Sequence, residues 1–288
     1  MHVTNMAFVN GEYLPETEAK ISIFDRGFLF ADAIYEITSV IGGRLIDFEG
    51  HMNRLDRSLK ELGMELPMTV KEIRELHLRL IDDNEIGDGL VYLQVTRGAA
   101  ERDFAYPSPE TPQSVVMFTQ SKPGLADNPL ADRGLNVVTR PDLRWGRRDI
   151  KTVQLLYASM AKMEAKAEGA DDAWLVEDDV VTEGTSNNAY IVKNGVIVTR
   201  DLGSEILPGI TRAAVLRCAR EAQMTVEERA FTIEEAMAAD EAFVTSATSF
   251  VMPVVTIDGH DVGQGTPGPV ARRLREIYLD EHRSASGN

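Results

Sequence analysis

A two-domain protein of the α/β class is the fold this sequence predicts, on three observations. Segments with the 3.6-residue apolar period of a helix alternate with short β-branched runs along the chain. A stretch crowded with Pro, Gly, Asn and Asp, SKPGLADNPLADRG at 121–134, interrupts that alternation and carries no apolar period. The 288 residues, 43% hydrophobic and 26% charged, suffice for two ordinary soluble globular domains. The expected division is an N-terminal α/β domain over 1–120, a linker at 121–134, a C-terminal domain over 135–282 and a disordered tail at 283–288.

Each element has its own signal. AFV and EYL flank Asn10-Gly11, a pair that tolerates positive φ in a tight hairpin, and YEITSVI and RLIDF flank Gly42-Gly43 in the same way. In EGHMNRLDRSLKELG, Met52, Leu55, Leu59 and Leu62 share one helical face, and Gly63 ends the helix. Thr69 and Glu72 have capping-box spacing ahead of a helix that turns Ile73, Leu76, Leu80 and Ile81 inward. GLVYLQVTRG and SVVMFTQ are strands joined by AAERDFAYPSPETPQ, whose three prolines mark a loop with a task. Past the linker come a strand LNVVTR and the segment GRRDIKTVQLLYASMAKMEAKAEG. There Val153, Leu156, Met160, Met163 and Ala167 trace the buried face of a helix that stops at Gly169, with Lys151 at its mouth. A strand AWLVE, a hairpin AYIV-KNG-VIVTR, helices at 211–223 and 233–239, strands EAFVTS and VVTIDG and a helix PVARRLREIYLDEH complete the order.

Composition excludes several classes. Thirty Lys plus Arg against 46 Asp plus Glu leave a net charge of −16, a field that repels nucleic acid and anionic membrane surfaces. The lone Cys218 lies in the helical run TRAAVLRCAREAQ, where a buried apolar role and a reducing compartment are expected. With no secretory signal at the N-terminus and no apolar run near ~18 residues, the expected location is the cytoplasm. The five histidines have no partner at metal-ligand spacing, so no metal is expected, and neither a G-x-S-x-G elbow nor a P-loop is present. GQGTPG at 263–268 matches a dinucleotide pattern literally, but only one helix follows it, so it is a turn.

Four short segments carry chemistry. Lys151 has an amine suited to imine formation, Glu183 sits in VTEGTSNNAYIV, Arg54 sits in HMNRL, and LPGITR precedes a helix whose first-turn amides suit a phosphate. Taken singly, each has a plain reading as well: a helix-start lysine, a turn carboxylate, a surface arginine and a turn glycine at Gly209.

Taken together, in the order DRGFLFADAIYE, HMNRL, VTRG, IKTVQLL, VTEGTSN, LPGITR and TSATSFVMPV, the segments resemble the class IV (fold type IV) pyridoxal-phosphate aminotransferases, most of all the D-amino-acid transaminases. The likeness spans nearly the whole chain. It implies an N-terminal α/β domain and a C-terminal β-barrel-like domain with pyridoxal 5'-phosphate between them. Lys151 is implied as the Schiff-base lysine and the base that moves the substrate Cα proton, and Glu183 as the partner of the ring nitrogen. Arg54 and the Ile210 and Thr211 amides are implied as the phosphate anchor, with Leu207 against the ring. In TSATS, Ala247 stands where the family often has threonine, so phosphate contacts there fall to backbone amides or to Ser246 and Thr248.

The resemblance also implies a substrate site. Tyr35 matches a tyrosine near the substrate carboxylate, and Arg102 an arginine that reaches the partner subunit's active site in a homodimer. Phe104 occupies the place of a histidine, which leaves Arg102 as the one cation of that R-x-H trap. Ala31 and Ala33 replace common glycines and imply a tighter backbone approach. The implied reaction is ping-pong transfer of nitrogen from a D-amino acid to a 2-oxo acid such as 2-oxoglutarate or pyruvate. Branched-chain L-amino-acid transamination, (R)-amine transamination and 4-amino-4-deoxychorismate lyase activity are the alternatives within the family.

Overall fold

The computed structural model describes residues 4–284, which divide into two compact units, 4–125 with Ile150–Gln154 and Ala126–Asp149 with 155–284. The cut at Leu125/Ala126 falls inside the 121–134 stretch, which also holds a 3-10 turn at Leu125–Asp127 and a short helix, α4, at Leu130–Arg133.

The first unit contains, in order, β1 (Met6–Val9), β2 (Glu12–Pro15), α1 (Arg26–Phe30), β3 (Ala33–Ile41), β4 (Arg44–Leu45), α2 (Phe48–Glu61), α3 (Val70–Asp83), β5 (Gly89–Thr96) and β6 (Ser114–Ser121). Its six strands form one antiparallel sheet in the order β2-β1-β6-β5-β3-β4. Asn10-Gly11 and Gly42-Gly43 hold positive φ at both positions, the conformation that closes a two-residue hairpin with the twist of its strands. Thr69 caps α3 reciprocally: its side chain accepts from the Glu72 amide at 3.2 Å while Glu72 accepts from the Thr69 amide at 2.8 Å. Leu55 and Leu59 of α2 and Ile73 and Leu80 of α3 bury against Ile34, Val91, Leu93 and Met117 of the sheet. Alternation along β3 therefore gives one face to the helices and the other to Tyr35.

The second unit contains α4, β7 (Leu135–Pro141), α5 (Leu156–Ala167), β8 (Asp172–Glu177), β9 (Val180–Gly184), β10 (Asn188–Lys193), β11 (Val196–Thr199), α6 (Ile210–Glu221), β12 (Thr225–Glu228), α7 (Ile233–Met237), β13 (Glu241–Ser246), β14 (Phe250–Ile257), β15 (His260–Asp261) and α8 (Pro269–Ser284). Its nine strands make one curled, mixed sheet along β12-β11-β10-β13-β14-β7-β8-β9, with β15 on β14, the barrel-like element expected. The parallel pair β7/β8 is joined through α5 as a βαβ unit. Trp174, Ile191, Phe231, Val244 and Met252 fill its core. Cys218 is buried in α6, and burial together with Glu281 pushes its thiol up to about 11.

Two expectations are corrected. The helix after Lys151 begins at Leu156, and its inward face is Ala158, Ala161 and Ala165; Ala161 and Ala165 pack on Ala173 and Leu175 of β8. The stripe expected inside points out, with Leu156 76%, Met160 50% and Met163 62% exposed. Both stripes are apolar at helical spacing, and the alanine one admits the closer approach to the sheet. At the other end of the unit, α8 continues through Ser284 and Arg283 pairs with Asp127 at 2.7 Å, so 283 and 284, expected in a disordered tail, belong to the helix; 285–288 lie outside the described residues. Among the described residues no helix is long and apolar enough to cross a membrane.

Candidate active site

Lys151 lies in an extended segment alongside β3. The Tyr35 amide donates to the Lys151 carbonyl at 3.1 Å, the Val153 amide donates to the Ala33 carbonyl at 3.3 Å, and Ile34 and Thr152 form an isolated antiparallel bridge. Strand pairing, rather than the helix mouth expected from the sequence, thus fixes the lysine's backbone. Its Nζ donates to the Tyr35 hydroxyl at 3.2 Å and stands 4.3 Å from that ring's centre. Among the described residues Lys151 forms no ion pair. Tyr35 stacks on Tyr92 and Tyr92 on Phe118 across neighbouring strands, at 5.7 and 4.7 Å. That aromatic row is a rigid floor under the hydroxyl.

On the helix side of β3, the Arg54 guanidinium donates from Nε to Glu36 Oε1 at 2.8 Å and from Nη2 to Glu36 Oε2 at 2.7 Å. His51 Nδ1 reaches Glu36 Oε2 at 2.7 Å, and all three side chains are buried. Burial alone would raise the Glu36 carboxyl, but Arg54 and His51 hold it down at about 2. Arg54 is accordingly a buried, paired arginine and not a surface one.

Arg102 lies in the exposed loop between β5 and β6, its guanidinium 5.2 Å from the Phe30 ring and 5.9 Å from that of Phe104. The two rings meet edge to face at 5.6 Å. Among the described residues Arg102 forms no ion pair. Arg26 ties the same loop down by donating to the Asp103 carbonyl at 2.7 Å, and Asp32 accepts from both Arg26 and Arg97 at 2.8 Å. Ala31 occupies the left-handed region at φ 55°, where a glycine would be free of the cost of about 1–2 kcal/mol that a Cβ brings.

In the second unit Glu183 is the penultimate residue of β9 and is almost wholly buried. It accepts from Arg144 Nη1 at 2.5 Å, Asn188 Nδ2 at 3.0 Å and the Leu207 amide at 3.1 Å. Burial nevertheless raises its pKa, against the pull of Arg144 and the hydrogen bonds. Asn188 also donates to the Leu207 carbonyl at 2.9 Å, so Leu207 is tied at both ends to the surroundings of Glu183. Two residues on, Gly209 caps α6 with no side-chain hydrogen bond, and a Cβ there would lie 2.0 Å from Asn188 Oδ1. A side chain there would have to displace Asn188, and as a glycine the N-cap offers no side chain to the first-turn amides. In the β13–β14 turn, Ser246 Oγ lies 2.6 Å from Ser249 Oγ and accepts from the Ser249 amide at 3.2 Å, while Ala247 and Thr248 form the tip.

Glu36, His51, Arg144 and Asn188 were not singled out in the sequence. A signal existed for His51, which precedes Arg54 by three on one helical face, so both reach the same strand. For Arg144 there was none toward Glu183, which is 39 residues away; the guanidinium also donates to Asp142, two residues before it, at 2.7 and 2.9 Å.

The family model for amino-transferase class IV matches residues 33–257 of this chain. The D-alanine aminotransferase of Staphylococcus aureus (strain MSSA476) is 40% identical over 278 residues, 96% of this chain and 98% of that protein. That of Bacillus licheniformis is 39% identical over 267 residues, 92% and 93% of the two chains. Among solved structures, the T.th. branched-chain amino acid aminotransferase complexed with N-(5'-phosphopyridoxyl)-L-glutamate superposes with a TM-score of 0.88 at 28% identity, covering 99% of this chain and 96% of that one. With the family model covering most of the chain and full-length relatives near 40% identity, the protein belongs to the class IV aminotransferases.

Proposed function

We propose that this protein is a pyridoxal 5'-phosphate-dependent D-amino-acid transaminase that passes nitrogen from a D-amino acid to a 2-oxo acid such as 2-oxoglutarate or pyruvate. The carrying observation is the Lys151 amine, held by the Tyr35 hydroxyl and in no ion pair among the described residues, in a chain 40% identical to D-alanine aminotransferases. The donor set fits the cofactor: a primary amine, a buried carboxylate, a fixed guanidinium and a helix N-terminus without a side-chain cap. Bound there, the cofactor supplies an electron-withdrawing ring that stabilises negative charge at the substrate Cα.

The chain's own groups have these roles in the proposal. Lys151 Nζ would hold the cofactor and would take the proton from the substrate Cα. Glu183 keeps the ring nitrogen protonated. Burial makes its charge costly in water-free surroundings, and a cationic N–H beside it offsets that cost. Arg54, the Ile210 and Thr211 amides and the turn of Ser246, Ala247 and Thr248 bind the phosphate, and Leu207 backs the ring. Tyr35 and Arg102 take the substrate carboxylate. Arg102 is exposed and, among the described residues, pairs with no carboxylate, which suits a role across a homodimer. The outward stripe of Leu156, Met160 and Met163 supports the same homodimer, set in the cytoplasm.

Branched-chain L-amino-acid transamination is the second reading, favoured by the structural likeness to the T.th. branched-chain enzyme at 28% identity. A panel of D- and L-amino acids with 2-oxoglutarate, scored for 2-oxo acid formation, separates the two. D-Alanine or D-glutamate should lead. Preference for L-leucine or L-valine would favour the second reading, and pyruvate release from aminodeoxychorismate without an acceptor would indicate a lyase.

A further inference from the structure

Tyr35 and Glu36 are consecutive on β3 and point to opposite faces of the sheet, yet each holds a group assigned above to the cofactor. The Tyr35 amide fixes the Lys151 carbonyl at 3.1 Å and its hydroxyl meets Lys151 Nζ at 3.2 Å. On the other face Glu36 grips Arg54 through two hydrogen bonds of 2.8 and 2.7 Å and takes a third contact from His51 at 2.7 Å. His51 and Arg54 are three residues apart on α2, one face of one helix, so a single carboxylate receives both.

A buried triad of this kind needs a reason beyond stability. Desolvating a carboxylate and a guanidinium costs about as much as their attraction returns, and apolar side chains of equal volume often serve a core as well or better. What the triad does provide is geometry. A free arginine samples many rotamers, whereas the Nε and Nη2 bonds to one carboxylate use the side edge of the planar fork and fix its plane. Fixing that plane before an anion arrives removes the ordering cost from the binding step. Burial at Glu36 and His51 keeps water from competing for the carboxylate.

We propose that Glu36 is the positioning residue of the phosphate site: it sets the Arg54 guanidinium in the orientation that receives the cofactor phosphate, with His51 holding the carboxylate at Oε2. This inference rests on the phosphate role proposed for Arg54. Glu36 touches neither cofactor nor substrate, and its effect reaches the phosphate alone.

The test uses the full-length chain, depleted of cofactor and titrated with pyridoxal 5'-phosphate and, separately, with pyridoxal, which lacks the phosphate. Binding is read from visible absorbance and tryptophan fluorescence, without reference to turnover. Wild type should bind the phosphorylated ligand far more tightly. Glu36→Gln should lower that affinity by roughly 10- to 100-fold, the range over which groups behind a ligand shell tune binding, and leave pyridoxal affinity unchanged. Arg54→Lys, which keeps the charge and loses the fork, should give a comparable loss, and adding Glu36→Gln to it should cost little more. If Glu36→Gln does not fold, Glu36→Asp, with a shorter reach to the same arginine, should show the same selective loss in smaller measure. An equal loss of both ligands, or an unchanged ratio between them, overturns the positioning role while leaving that of Arg54 intact. A wild type that binds the two ligands equally overturns the phosphate reading of Arg54 and this inference with it.

Discussion

Lys151 Nζ lies 3.2 Å from the Tyr35 hydroxyl and 4.3 Å from the centre of its ring. The lysine is thus held by an oxygen and, among the described residues, forms no ion pair, and the stacked rings of Tyr92 and Phe118 lie beneath that oxygen. Tyr35→Phe keeps the ring and removes the bond. Cofactor content should be unchanged while kcat/KM for the amino donor falls by about 1–2 kcal/mol, roughly 5- to 30-fold. Kinetics within twofold of wild type would remove Tyr35 from the site.

Glu183 is surrounded by Arg144, Asn188 and the Leu207 amide, partners that keep a carboxylate in place even where burial disfavours its charge. Glu183→Gln should retain the cofactor, because the phosphate contacts are separate from it, and should lose about 2–4 kcal/mol of barrier stabilisation. Single-turnover conversion at saturating donor measures that loss directly. An unchanged rate would count against the ring-nitrogen role.

Arg102 stands beside Phe30 and Phe104, and Phe104 takes the place of the histidine in the R-x-H pattern that the resemblance implies, so in the proposed site one guanidinium would carry the carboxylate. Arg102→Leu should lower kcat/KM for D-alanine or D-glutamate by about 2–4 kcal/mol, the cost of truncating one partner of a desolvated charge pair. An amine without a carboxylate should be little affected. Equal losses for both substrates would mean that the substitution acts on the loop and not on recognition.

His77 ties α3 to the first core, its Nδ1 at 2.8 Å from the Ile73 carbonyl and its ring edge on to Phe48 at 5.2 Å. Burial lowers its pKa from 6.5 to about 4, so the folded chain holds it neutral where the unfolded chain takes up a proton. The sign follows: stability from this group is complete above pH 6.5, falls as pH drops towards 4, and falls no further below it. The total is about 3 kcal/mol. Urea midpoints from pH 7.5 to 4.5 should therefore fall more steeply for wild type than for His77→Gln, and parallel curves would contradict the assignment.

Much of this was legible in the sequence because local chemistry decides it. Asn10-Gly11 closes a hairpin by its own φ preferences, and Thr69 with Glu72 caps α3 through side chains three residues apart. The order of short segments was enough to point to the family. What the sequence did not reveal depends on which of two similar surfaces meets a neighbour. On α5 an alanine stripe and a stripe of Leu156, Met160 and Met163 have the same period, and only the sheet beneath distinguishes them. Lys151 looked like a helix-start residue because nothing local shows that its backbone pairs with β3, 116 residues away. Glu36 was silent for the same reason: a glutamate inside an apolar strand gains its meaning from a helix that follows later in the chain.

Borohydride reduction of the purified protein followed by peptide mapping tests whether Lys151 carries the cofactor. Reduction should abolish the visible absorbance and leave a single pyridoxyl label, bound as a stable secondary amine to Lys151 in the peptide DIKTVQLL. A label on any other lysine, or a protein that takes up no label when reduced in the presence of pyridoxal 5'-phosphate, would contradict it.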